Sequence, residues 1–101
     1  MPGHSPTTSC TFAQFNSLNG YFVHLVMMTQ NNPGWQQTYD NWIMNMWTHY
    51  NGTGQNAGCN WFINRITLWS GQIVNLNPSG YNYALKVAKI GWAKRMLTLC
   101  C

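Results

Sequence analysis

The side chains best suited to chemistry in this 101-residue chain are four cysteines, Cys10, Cys59, Cys100 and Cys101, and three histidines, His4, His24 and His49. Thiols in an even number within a small chain point to disulfides, whereas thiolates with a nearby imidazole could hold zinc. The spacing favours disulfides. No C-x-x-C pair is present, and adjacent cysteines rarely bond one another because the ring that forms is strained. Cys10 and Cys59 are therefore each expected to pair with one member of the Cys100 and Cys101 pair, and closing such long loops is worth about 4 kcal/mol. A metal site built from Cys10, Cys59, Cys100 and His49 is the alternative.

Other chemistries fall away on residue count. Asp40 is the only carboxylate side chain, so paired-carboxylate acid–base catalysis is excluded, and no Ser-His-Asp arrangement can be drawn around it. Gly52 and Gly54 lack the lysine and helix-opening pattern of a phosphate loop. His24, among Val23, Leu25 and Val26, reads as a boundary histidine rather than a ligand. The chain is expected to be no enzyme, and nothing in it points to a cofactor or a small-molecule substrate.

Those thiols converge only if the intervening elements bring them together, and the apolar spacing says how. Cys59, Phe62, Ile66, Trp69, Ile73 and Leu76 recur at three and four residues and form one stripe on a helix. Phe15, Leu18, Phe22, Leu25 and Thr29 repeat that spacing, in phase across Asn19-Gly20, where a kink is expected. Trp35, Tyr39, Trp42, Met46 and His49 mark another stripe, and Tyr81, Leu85, Ala88, Trp92, Met96 and Leu99 a fourth. Asn32-Pro33 and Asn77-Pro78 read as helix starts, an N-cap followed by a proline whose missing N–H costs nothing there. Residues 51–58, rich in Gly and Asn, read as a loop with no apolar anchor.

The expected fold is all-α: an up-down-up-down four-helix bundle of two helical hairpins, with helices over 9–30, 33–50, 58–76 and 78–99. Residues 1–7 are expected to be a flexible arm and 8–101 a single domain. In that topology Cys10, Cys59, Cys100, Cys101 and His49 share one pole. Cys10 with Phe12, and Cys59 with Trp61, each open a helix that ends at an Asn-Pro junction, a faint echo of a duplicated hairpin.

Composition frames the function. Charged residues are 6% of the chain against about 25% in a typical domain, so little like-charge repulsion keeps copies apart. Arg65, Lys86, Lys89, Lys94 and Arg95 all lie in the second half, too sparse a set for a nucleic-acid footprint, and no nucleic-acid partner is expected. No apolar run approaches the ~20 residues that span a bilayer. Residues 1–6 lack the basic start and apolar stretch of a signal peptide, so an exported form would be mature or use another route. Asn51-Gly52-Thr53 matches the N-glycosylation pattern.

Six tryptophans exceed what a small bundle needs, and Trp35, Trp47 and Trp61, near helix ends or off-stripe, are the expected interface residues. The reading is a structural or assembly protein, extracellular or virion-associated, that self-associates into a homo-oligomer or filament. The alternatives are a secreted binding module or membrane-active protein using the basic last helix and exposed Trp residues on an anionic surface, and a thiolate metal-binding protein.

Overall fold

A computed structural model describes residues 10–17, 20, 22–30 and 32–101. The expected arm over 1–7, His4, and Leu18 and Asn19 of the first stripe lie outside the described residues. The elements are α1 (Phe12–Ser17), α2 (Val23–Met28), α3 (Trp35–Tyr50), α4 (Cys59–Gln72), a 3-10 turn (Ile73–Asn75) and α5 (Tyr81–Cys100). The protein is all-α, but the simple four-helix bundle is overturned: the described residues form five α-helices, because the segment expected to be one helix is a bent pair.

The break has a local cause. Gly20 has φ 65°, a left-handed conformation that an α-helix cannot contain. A Cβ at this position would overlap the Tyr39 ring and lie 2.8 Å from its hydroxyl oxygen. The expected stripe does not carry through the break: Phe15 of α1 is buried, but Phe22 and Leu25 are 52% and 46% exposed and Thr29 is exposed, and α2 instead buries Val23 and Met27.

Side-chain hydrogen bonding opens α1, while the starts of α3 and α5 depart from expectation. Thr11 and Gln14 form a capping box, with the Gln14 N–H donating to Thr11 Oγ1 (3.2 Å) and the Thr11 N–H donating to Gln14 Oε1 (2.8 Å). Asn32 and Asn77, expected as N-caps, instead accept from the N–H two residues on, Gly34 at 2.9 Å and Ser79 at 3.0 Å. These Asx turns place the chain one step before the helix, so α3 opens at Trp35 and α5 at Tyr81. The 51–58 loop is also anchored, contrary to expectation: Ala57 is buried, and the Gly58 N–H donates to the Tyr50 carbonyl at 2.8 Å.

The core is built of rings. Trp92 of α5 is 0% exposed and lies 4.8 Å from Trp42, 5.5 Å from Phe15, 5.7 Å from Phe62 and 6.4 Å from Trp61, measured between ring centroids. One residue thus touches rings from α1, α3 and α4. The molecule measures 42 × 29 × 18 Å. With helices packing 8–10 Å apart, an 18 Å thickness accommodates about two layers, which leaves one side of most helices facing outward.

Replacing Gly20 by Ala should destabilise the fold by about 2 kcal/mol or more, since it adds left-handed strain to a steric overlap. Chemical denaturation of the variant beside a control Gly71→Ala, where a Cβ meets open space, would check this. Equal stability of the two would show that Gly20 is not conformationally required.

Candidate functional site

The cystine pole is the first candidate. Cys10 is bonded to Cys100 and Cys59 to Cys101, with Cα–Cα separations of 5.2 and 6.1 Å, and no free cysteine remains. The sequence left open which member of the C-terminal pair each would take. The geometry answers it: Cys100 is the last helical residue and points into the core, where it meets the start of α1, while Cys101 lies past the helix end and reaches α4. Tyr50 ties the end of α3 to the same pole by accepting from the Cys10 N–H at 3.4 Å. Sulfurs engaged in disulfides are not thiolate ligands, so the set Cys10, Cys59, Cys100 and His49 has no metal-binding form here, and no metal-type cluster occurs among the described residues.

His49 is used differently. Its imidazole stacks on Trp61 at 5.6 Å with an interplanar angle of 5°, and the Arg65 guanidinium lies 5.6 Å from the centroid of the same indole. Trp61, expected at an interface, is therefore a correction: it is 3% exposed and belongs to the core. Its off-stripe position sends it between neighbouring side chains rather than into solvent. Trp35 and Trp47 are half-buried, Trp47 against Phe12 (5.4 Å) and Phe15 (5.1 Å).

A polar pocket of about 440 Å³ escaped the sequence reading. Asn16, His24, Trp35, Gln36, Tyr39 and Asp40 line it, which puts the only acid of the chain beside a half-buried histidine. The signal was hidden because the pocket draws on α1, α2 and α3 at once, and no spacing within one helix reports it. No serine, threonine or cysteine is among its lining residues, so nothing there completes a nucleophilic triad. Burial first, and then the Asp40 carboxylate, push the Tyr39 phenol up to about 12.

No protein-family model, curated protein or solved structure matches this chain.

The functional reading therefore rests on the surface and its grooves. Three of the five cations are folded onto rings: Arg65 over Trp61, Lys86 over Trp69 at 5.8 Å and Lys89 over Trp42 at 5.6 Å. Lys86 also donates to Gln72 Oε1 at 3.0 Å. Burial, and then the neighbouring charge, lowers the amine pKa of both lysines, with Arg65 acting on Lys86 and Lys86 acting on Lys89. Among the described residues, Lys94, Arg95 and Asp40 are the charged side chains left exposed. Between them, apolar side chains reach the surface: Ile63 is 47% exposed, Leu68 44% and Val74 78%.

Two tests follow from this geometry. Removing the Cys10–Cys100 bond should cost about 0.7 kcal/mol more than removing Cys59–Cys101, because it closes the longer loop; denaturation of the paired serine variants would compare them. Tyr39 keeps its proton in the fold to about 12 but gives it up near the ordinary phenol value of 10 when unfolded. Its stabilising effect is present below pH 10 and lost as pH rises towards 12. Its hydroxyl has no hydrogen-bond partner among the described residues. Tyr39→Phe should thus cost under about 1 kcal/mol at neutral pH and gain on the wild type between pH 10 and 12. A gap that does not change with pH would refute the assignment.

Proposed function

We propose that this is a non-enzymatic assembly protein of an oxidising, extracytoplasmic setting, secreted or carried on a virion, that packs against further copies of itself. The observation that carries the reading is the outward face of α4. Ile63, Asn64, Thr67, Leu68, Ser70, Gly71 and Gln72 are all exposed, the face continues into Val74, and none of these residues is charged. Gly71 would meet nothing within 4 Å on gaining a Cβ, so a second backbone can approach closely there. A helix face that is apolar at intervals and uncharged throughout suits a homotypic contact, because two copies meet without like-charge repulsion. The proposed contact is therefore Ile63, Leu68 and Val74 rather than the expected Trp35, Trp47 and Trp61.

The two disulfides support the compartment, since such bonds persist where thiols are not kept reduced. They also support a rigid building block, whose surface is not remodelled to assemble. The alternative of a basic helix on an anionic membrane draws less support. Lys86 and Lys89 of α5 lie over rings, which leaves Lys94 and Arg95 as its exposed cations, and no helix among the described residues is long and apolar enough to cross a membrane.

Sedimentation across a concentration series should show association that persists in high salt, where an electrostatic complex would weaken. Introducing charge with Leu68→Lys and Ile63→Lys should release monomers with helicity unchanged. A wild-type protein that stays monomeric at millimolar concentration would end the assembly reading.

A further inference from the structure

The largest groove among those described, about 590 Å³, lies between α3 and α5. Its walls are the facing ridges of two helices: Thr38, Asn41, Trp42, Asn45 and Met46 recur at three and four residues along α3, and Tyr81, Leu85 and Lys89 at four along α5. Met27 of α2 closes one side. No acidic residue is among these, and the only acid, Asp40, lines the separate polar pocket with His24 and Tyr39. The groove is thus apolar on Met27, Trp42, Met46 and Leu85 and supplied with donors elsewhere.

Those donors are unevenly spent. Asn41 Oδ1 already accepts from Gln37 Nε2 at 3.0 Å, which leaves the Asn41 amide hydrogens to donate. Thr38 gives its hydroxyl hydrogen to the Gly34 carbonyl at 3.2 Å. Tyr81 keeps its phenolic proton, its pKa raised by burial. Lys89 is half-buried, with its ammonium 5.6 Å from the Trp42 ring centroid. Withdrawing a cation from water is costly unless it is paired, and a ring face satisfies it on one side only. Burial first, and then the charge of Lys86, holds the pKa of Lys89 down. A partly desolvated ammonium, amide donors, a phenol and thioether and aliphatic walls form the kind of concave site that takes a ligand with an apolar body and one polar head.

We propose that the α3–α5 groove binds an apolar monocarboxylate, its carboxylate held by Lys89 with Asn41, Asn45 or Tyr81 donating, and its hydrocarbon laid on Trp42, Met27, Met46 and Leu85. One lysine matches one negative charge, and the volume falls within the ~300–1,000 Å³ of small-molecule sites. The site is independent of the α4 face and adds a ligand to the proposed assembly role rather than depending on it.

Decanoate, decanol and decyltrimethylammonium, each below its micelle-forming concentration, would be titrated into the intact disulfide-bonded protein and followed by amide chemical shifts. Saturable decanoate binding with shifts centred on Thr38, Asn41, Asn45, Leu85 and Lys89 is expected. Lys89→Gln should weaken decanoate about tenfold, the usual scale for losing a charge-assisted hydrogen bond, and leave decanol unchanged. Lys86→Gln should leave both unchanged, and circular dichroism would confirm that both variants fold. Equal affinity for the three headgroups overturns the proposal, as does an unaffected Lys89→Gln. Shifts centred on the α2–α5 surface around Phe22 and Val87, or binding to anionic vesicles without binding to decanoate, would also overturn it. Sedimentation of the same samples reports separately on assembly.

Discussion

Two consecutive residues at the end of one helix hold three helices in register. Cys100 and Cys101 receive the starts of α1 and α4 respectively, so α5 becomes the spine to which both halves of the chain are tied. Their sequence separations, 90 and 42, overlap rather than nest, so each bond ties a different half of the chain to the end of α5. Joining such distant points removes entropy from the unfolded chain, about 4 kcal/mol for the longer loop. That is a large share of the 5–15 kcal/mol that stabilises a typical domain. The requirement that α5 end at the pole then fixes where Trp92 falls, two turns earlier, among Phe15, Trp42, Trp61 and Phe62.

A core of rings has a cost that the disulfides help to offset. The indole N–H groups of Trp42, Trp61 and Trp92 are buried with no hydrogen-bond partner among the described residues. Each such group forgoes the water it bonded when unfolded, at about 1–3 kcal/mol. Edge-to-face ring contacts return part of this, about 0.5–1.5 kcal/mol per pair beyond area burial. Leucine-based bundles avoid the problem. Here large flat side chains fill a thin, two-layer molecule in which few aliphatic layers could interdigitate. The cations serve the same end, because Arg65, Lys86 and Lys89 cover ring faces that the slab leaves near the surface.

How far the sequence could be read follows from which interactions are local. The stripes from Cys59 to Leu76 and from Tyr81 to Leu99 mark α4 and α5 because burial of one helix face is a periodic signal within one segment. The gathering of cysteines at one pole was legible for the same reason, since it depends only on which helix each residue opens or closes. At Gly20 a kink was legible but not a break: the apolar spacing runs on through the glycine, and neither its left-handed φ of 65° nor the Tyr39 ring that a Cβ would overlap leaves a signal in that spacing. Trp61 misled for a related reason. Its position off the main stripe suggested exposure, but His49 of α3 and Arg65, one turn further along α4, cover it. The α3–α5 groove was invisible because its lysine and its amides lie on different helices.

The same burial of charge that completes the core determines what the surface can do. With three cations laid on rings, the exposed charges reduce to Lys94, Arg95 and Asp40, and amides, hydroxyls and aliphatic groups make up most of the rest. Such a surface gives weak long-range steering, so encounter with a partner is not accelerated by charge. Once two faces meet, however, there is little charge to desolvate, and the apolar contribution of Ile63, Leu68 and Val74 is not offset by stranded ions. Under the proposed assembly role, association of this kind would form slowly and tolerate salt. The cystine clamp works to the same end, because tying α1 and α4 to the end of α5 keeps the exposed faces in fixed positions on one rigid frame.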